Sequence, residues 1–314
     1  MRLVGFIYLL FNVAITLEIE NLVSPGLWNQ HKRKYNLMLS QTEEVERRAI
    51  YFDNLKYIED INSQNLGFKL AMNEYGHMRP SELTMSTIMK RHLPLMLDDE
   101  PSSEVPLNKS LQKLKTRKCG SCYAFSGVGA LESHIALETG KLINLSEQEI
   151  VDCSIKEGNN GCHGGYPDDV FKYAIQHGLS LESDYNYVAK EGDCRRSNTK
   201  TRYRLLSYVD IPGGHENKLI SAVSSKGPVS VSFDAKHREF MLYHSGILRI
   251  RQCRKDQMNH AVLIVGYSID PSGSYYIVKN SWGTKWGESG YFRMAMNENM
   301  CGIASWASYP VPKV

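Results

Sequence analysis

The sequence predicts an α+β protein, helical in its first part and strand-rich in its last, preceded by a helical leader. Three observations carry this. After Cys122, apolar residues recur at helical spacing at Phe125, Val128, Leu131 and Ile135. Toward the C-terminus, PVSVSFDA, NHAVLIVGYS, YYIVKNS and YFRMAM are β-branched and aromatic, alternating or continuously apolar. All seven cysteines fall after residue 118, so an oxidised part follows a cysteine-free part. The chain has 314 residues, is 42% hydrophobic and carries a net charge of +3, enough for one or two cores and without a broad basic field for nucleic acid.

The N-terminal MRLVGFIYLLFNVAITLE has one arginine, a short apolar run and small residues near Ala14 and Thr16. It reads as a secretory signal peptide over residues 1–16, because the run is shorter than the ~20 residues a membrane-spanning helix needs. No other window is long enough to span a bilayer. Residues from about 27 to 65 read as helix. Glu43 and Arg47 are spaced to pair on one face, and Tyr51, Asn54, Ile58 and Asn62 continue that stripe. Residues 79–118, with Pro80, Pro94, Pro101 and Pro106, read as an irregular boundary.

The helix after Cys122 has small residues at Ala124, Gly127 and Ala130 and should be buried nearly all round, with Gly140 as its stop. Ser146 followed by Glu149 reads as a capping box. PDDVFKYAIQHG reads as a helix with Pro167 at its start and Gly178 past its end, and ENKLISAVSSKG as another up to Gly227. The four strand-like segments come last.

Seven cysteines cannot all pair within one chain, so one stays free or bonds another chain. Cys122 opens a helix, where unpaired N–H groups and the positive dipole end favour a thiolate. Gly120 and Ser121 before it allow a tight turn and close approach of a substrate carbonyl. The Cys119–Cys122 spacing also fits a redox pair or half a zinc site. No βαβ pattern surrounds it, however, and no second such pair follows. A thiolate needs a base. His260 heads a strand, and Asn280 in KNSWG follows on the next. Asn280 can accept from one imidazole nitrogen and leave the other facing Cys122, with Trp282 covering that bond. A neutral Asn suffices, because the thiolate already balances the imidazolium. The plainer readings are a core histidine and a turn asparagine.

Cys-Gly-Ser-Cys-Tyr at 119–123, with His260 and Asn280, resembles the papain/cathepsin cysteine proteases. GNNGCHGG at 158–165 is similar to that family's glycine-rich substrate-binding turn. The Glu43 to Asn62 stripe is similar to the interrupted helix motif of cathepsin L-like propeptides. NSWGTKWGESGYFRM and CGIAS…SYP are similar to the cathepsin L C-terminal half. The resemblance runs from about Trp28 to Pro310. It implies a papain-like two-lobe fold, a helical lobe plus a β-barrel-like lobe, with an α-helical propeptide. The propeptide would span residues 17–98 and the peptidase 99–314. It further implies a cysteine endopeptidase made as a zymogen, using Cys122, His260 and Asn280, with the Cys122 backbone N–H as oxyanion donor. The implied disulfides are Cys119–Cys162, Cys153–Cys194 and Cys253–Cys301. Substrate contacts are implied at Gly164, Gly165, Tyr166, Pro167, Ser232, Met258, Ala261 and Trp306. The implied partners are peptide or protein substrates, the chain's own propeptide as inhibitor, and cystatin-type inhibitors. No nucleic acid, metal or cofactor is implied, and a monomer in the secretory pathway, lysosomal or extracellular, is expected.

The sequence also departs from the family. Thr116 stands where the family has a Gln whose side chain is the second oxyanion donor, and Ser103, Glu104 and Val105 stand where it has Asp-Trp-Arg. Three readings stay open: a divergent loop and a slow enzyme, a misassigned coding segment over 101–118, or a homologue that binds peptides or partners without cleaving them. Ala71, Asn73, Tyr75 and His77 replace the family's Gly, Asn, Phe and Asp in the second propeptide motif. The Asp to His change alters the charge there, so acid-triggered processing is expected to differ. Trp306 replaces a small residue, which implies a shallow apolar pocket favouring Val or Leu over Phe at the substrate's second position. Asn108 and Asn144 are glycosylation acceptors by pattern. Asn144 lies beside a helix cap, which favours Asn108.

Overall fold

The computed structural model describes residues 26–84, 119–196, 202–269, 271 and 273–313. The signal segment, the 101–118 loop with Thr116, and Asn108 lie outside these residues.

The leader holds two helices where the sequence suggested one. The first, α1, covers residues 26–35. Asn36 then turns left-handed at φ 49° and stops it. Ser40 restarts the helix as α2 (Gln41–Ser63) through a capping box: its hydroxyl receives the Glu43 N–H, and Glu43 accepts the Ser40 N–H at 2.9 Å. The stripe on α2 fastens the chain that follows. Asn62 exchanges two hydrogen bonds of 2.9 Å with the backbone of Leu70, at the end of β1 (Phe68–Leu70). Asn54 Nδ2 donates to the Gly76 carbonyl at 3.0 Å, and Arg47 pairs with Glu82 at 2.7 Å.

The helical lobe begins with α3 (Cys122–Thr139), whose small residues let it bury most of its circumference. It ends at Gly140, left-handed at φ 69°. The next helix, α4 (Glu147–Cys153), is capped by Ser146, which receives the Glu149 N–H at 3.0 Å. Only this half of the expected capping box forms. The buried Glu149 carboxylate turns instead to Tyr173 Oη at 2.8 Å, to the Ser180 N–H at 2.9 Å and to Arg202. Those partners outbid a reach back to a cap whose own N–H is already held by the Ser180 carbonyl. Pro167 opens α5 (Pro167–His177) at its first position.

The strand-rich lobe adds β2 (Leu205–Ile211), α6 (Glu216–Ser225), β3 (Val229–Phe233), α7 (Arg238–Met241), β4 (Tyr243–Leu248), β5 (His260–Ser268), β6 (Tyr275–Lys279), β7 (Tyr291–Ala295) and β8 (Trp306–Pro312). Among the described residues the strands form one sheet in the order β1-β4-β7-β6-β5-β3-β8-β2. Only β4 and β7 pair in parallel. The four strands expected from sequence are β3, β5, β6 and β7.

Two apolar clusters follow the two lobes. Tyr123, Val128, Leu131 and Phe171 centre the helical one. Phe233, Phe240, Tyr276, Trp286 and Phe292 centre the strand one. The leader's Phe68, Leu70 and Tyr75 belong to the second cluster, so the leader shares the core of the strand lobe. Disulfides join Cys119 to Cys162, Cys153 to Cys194 and Cys253 to Cys301. Closing loops of this length is worth roughly 4 kcal/mol each in the chain-entropy account. Among the described residues, no helix is long and apolar enough to cross a membrane.

Candidate active site

Cys122 is the cysteine left unbridged among the described residues, and it is buried as the first residue of α3. Its approach is fixed by the neighbouring bridge. The Gly120 N–H donates to the Cys162 carbonyl at 2.8 Å. A side chain at Gly120 would put its Cβ 2.7 Å from that same oxygen, so only glycine passes. Ser121 precedes the helix without capping it, because its hydroxyl bonds Tyr187 Oη at 2.6 Å. The first amides of α3 are thereby left to the thiol. The backbone N–H groups of Ala261, Tyr123 and Cys122 itself all favour the thiolate, but burial outweighs them and pushes the thiol up to about 11.

The Ala261 amide links that sulfur to β5, and the residue before Ala261 is His260. The imidazole is 1% exposed and walled by rings: Trp282 at 5.3 Å, Phe240 at 5.7 Å and Phe233 at 5.9 Å. Its Nε2 lies 2.9 Å from Asn280 Oδ1, and that oxygen also receives the Ser281 N–H at 2.8 Å. The backbone donor fixes the amide's orientation, so Nε2 must carry the proton. Nδ1 is then the basic nitrogen, and it has no hydrogen-bond partner among the described residues. Burial drives the imidazole down to about 4, against the opposing pull of Asn280. Burial thus works against the charged form of both groups.

Of the remaining expected residues, Met258, Ala261, Tyr166 and Trp306 share an apolar cluster with Cys122. Gly164 has φ 115°, and a Cβ on Gly165 would meet Asn159 Oδ1 at 2.1 Å, so this turn also demands glycine. Trp306, Ser232 and Ala261 lie in register across β8, β3 and β5, which sets them side by side on one face. Tyr166 reaches over from the helical lobe, its ring 6.1 Å from that of Trp306. Met258 is fully buried in the same cluster as Cys122, and Pro167 is buried at the start of α5. Asn144 is exposed, contrary to the expectation from its place beside a cap, because Leu145 turns inward instead.

Sequence reasoning passed over Phe240 and read Asn73 and Tyr75 only as part of a degenerate propeptide motif. Phe240 touches the rings of His260, Trp282 and Trp286, and no motif marks it. Asn73 and Tyr75 of the leader seize the strand lobe beside this cluster. Asn73 Nδ2 donates to the Met241 carbonyl at 2.8 Å, and Tyr75 Oη donates to the Trp282 carbonyl at 3.2 Å. The Tyr75 ring lies 5.1 Å from that of Trp282, which also shields His260.

A lone thiol at a helix start, an imidazole with its tautomer fixed and a leader anchored beside them define a cysteine peptidase precursor. The comparisons agree. Residues 107–311 match the papain family cysteine protease domain, and residues 28–83 match the cathepsin propeptide inhibitor domain (I29). The chain is 38% identical over 305 residues to procathepsin L of Mus musculus, covering 90% of this chain and 91% of that one. It is 37% identical over 309 residues to digestive cysteine proteinase 2 of Homarus americanus, covering 92% and 95%. The solved structure of digestive procathepsin L 3 from Tenebrio molitor larval midgut superposes with a TM-score of 0.81 at 36% identity, covering 92% of this chain and 99% of that one. The chain belongs to the papain family of cysteine proteases. It is a cathepsin L-like zymogen with its propeptide inhibitor domain attached.

Proposed function

We propose that this zymogen yields an endopeptidase in which Cys122 is the nucleophile, His260 the general base and acid, and Asn280 the residue that orients His260. The observation that carries the assignment is the Asn280 carbonyl, which leaves His260 Nδ1 as the free base in a site with an unbridged thiol. With the leader gone, Nδ1 takes the thiol proton and the thiolate attacks a peptide carbonyl. The Cys122 N–H holds the oxyanion, as the start of a helix can. His260 then protonates the leaving amine, and water hydrolyses the thioester. Extended substrate runs along Gly164 and Gly165, with its second side chain among Tyr166, Pro167, Ser232, Met258, Ala261 and Trp306.

The leader, residues 17–98 by the sequence reading, inhibits in cis, and the peptidase follows from residue 99. Cystatin-type inhibitors are the expected external partners, and a monomer in a lysosomal or extracellular compartment is the expected state. A second reading rests on Thr116: with the Gln donor missing, the protein binds peptides and cleaves slowly or not at all. Treating the acid-matured protein with an epoxide that alkylates thiolates separates the two. Labelling at Cys122 with peptide turnover supports the enzyme. Labelling without turnover supports the binder, and no labelling overturns the nucleophile assignment.

A further inference from the structure

The residue before His260 is Asn259, which is 2% exposed. Its N–H donates to the Phe233 carbonyl at 3.1 Å, its Oδ1 accepts the Ala235 N–H at 2.9 Å, and its Nδ2 donates to Asp234 Oδ1 at 2.6 Å. Asp234 follows the last residue of β3, is 5% exposed, and uses both carboxylate oxygens. Its Oδ2 faces His237 Nε2 at 2.9 Å and accepts the Arg254 N–H at 3.0 Å. The Asp234 N–H donates to the Cys301 carbonyl at 2.9 Å. The same residue is thus moored beside both ends of the Cys253–Cys301 bridge.

We infer that Asp234 is a positioning residue for His260: through Asn259 it fixes the backbone from which the imidazole springs, as Asn280 fixes the tip of the ring. The inference rests on reading His260 as the general base. The bond from Nε2 to Asn280 sets the direction of the ring but not where its Cα sits. The three hydrogen bonds on Asn259 supply that second point, and the bridge behind Asp234 holds it still.

The side chain at 234 must be a carboxylate for this. Burial alone would raise its pKa, but His237, the Arg254 N–H and Asn259 together hold it down to about 2. Both oxygens are therefore acceptors at neutral and mildly acidic pH. An amide of the same shape has one acceptor oxygen. Whichever way it turned, its NH₂ group would face either the Asn259 amide or the Arg254 N–H, donor against donor.

The test compares kcat and KM on a fluorogenic peptide, for protein made as the full chain and then acid-matured. Rates are divided by the active sites titrated with the thiol-alkylating epoxide, so lost folded protein does not count as lost rate. Misplacing a base by about an ångström costs around 10²-fold, and Asp234→Asn should lower kcat per site by about tenfold or more, with KM within about twofold. Adding Asn259→Asp should raise kcat again by about threefold or more, because the new carboxylate accepts from both the new amide and the Ala235 N–H. An unchanged kcat in Asp234→Asn overturns the proposal, and so does a loss that Asn259→Asp leaves uncorrected. Should Asp234→Asn not fold, Asn259→Ala cuts the same link from the other side. A comparable fall in kcat then supports the proposal, and a parent-like kcat overturns it. His260→Ala separates this result from the reading beneath it. Turnover that survives His260→Ala rejects the base and the proposal with it. Turnover lost there but intact in Asp234→Asn rejects the proposal alone.

Discussion

His260 Nε2 lies 2.9 Å from Asn280 Oδ1, and the Ser281 amide pins that oxygen from the other side. The bond fixes both the tautomer and the tilt of the imidazole. Asn280→Ala leaves the ring free to turn among Trp282, Phe240 and Phe233. Misplacing a base by about an ångström costs around 10²-fold. The expected result is a kcat loss of that order with KM little changed, read on a fluorogenic peptide. An unaltered kcat in a folded variant rejects the orienting role.

Burial of the thiol and the imidazole gives a second expectation. Burial holds the thiol near 11 and the imidazole near 4. A raised thiol favours the closed form below its ordinary 9 and ceases to do so as pH rises through 11. A depressed imidazole favours it above 6.5 and ceases to do so as pH falls through 4. These two groups therefore stabilise the closed precursor most between about 6.5 and 9. Iodoacetamide should alkylate Cys122 slowly in the precursor at pH 7, with the rate still climbing above pH 9. After leader removal the rate at pH 7 should be at least tenfold higher. Equal rates before and after removal contradict the burial argument.

The candidate site was legible in the sequence because its residues lie in short motifs. Cys122 is marked by its position at a helix start, His260 by heading a strand and Asn280 by following one. The helices were legible wherever Gly or Pro punctuates them, as at Gly140 and Pro167. Strands β2, β4 and β8 were not. LLSYVDI and YHSGIL mix polar residues and a glycine into their runs, and WASYPVP carries prolines at 310 and 312. They are strands because the sheet supplies neighbours, and β8 is held by β3 on one side and β2 on the other. The break at Asn36 was hidden in the same way. Asparagine tolerates the left-handed φ but does not require it, whereas the Ser40–Glu43 cap was there to be read.

On the proposed assignment, Thr116 stands at the position where the family has the Gln that is its second oxyanion donor. A missing donor of this kind costs about 10²–10³ in kcat. Thr116→Gln should recover up to that factor on a fluorogenic peptide, with little change in KM. If the folded, active variant turns over no faster than its parent, position 116 is not the second donor.

Autoinhibition leans on Tyr75, whose ring meets Trp282 and whose hydroxyl holds the Trp282 carbonyl. Tyr75 is 1% exposed, and cutting a buried aromatic back to alanine costs about 3–5 kcal/mol. Tyr75→Ala should therefore weaken leader docking by more than 10²-fold. At pH 7 the precursor should label with the thiol-directed epoxide, while the parent stays protected. A parent-like resistance to labelling removes Tyr75 from the inhibitory contact.

On the proposed assignment, Trp306 limits the pocket for the substrate's second side chain. It lies in register with Ser232, which is in register with Ala261, so its indole stands over two small residues, and Tyr166 closes on it from the other lobe. On this assignment the indole would fill the depth that a phenyl group needs. Val and Leu should thus be preferred to Phe in the wild-type enzyme. Trp306→Ala removes the indole and should raise kcat/KM for Phe at that position by about tenfold relative to Val, the scale on which an apolar pocket discriminates. A positional library cleaved by the mature enzyme reads both. If Phe outranks Val and Leu before any substitution, Trp306 does not limit the pocket.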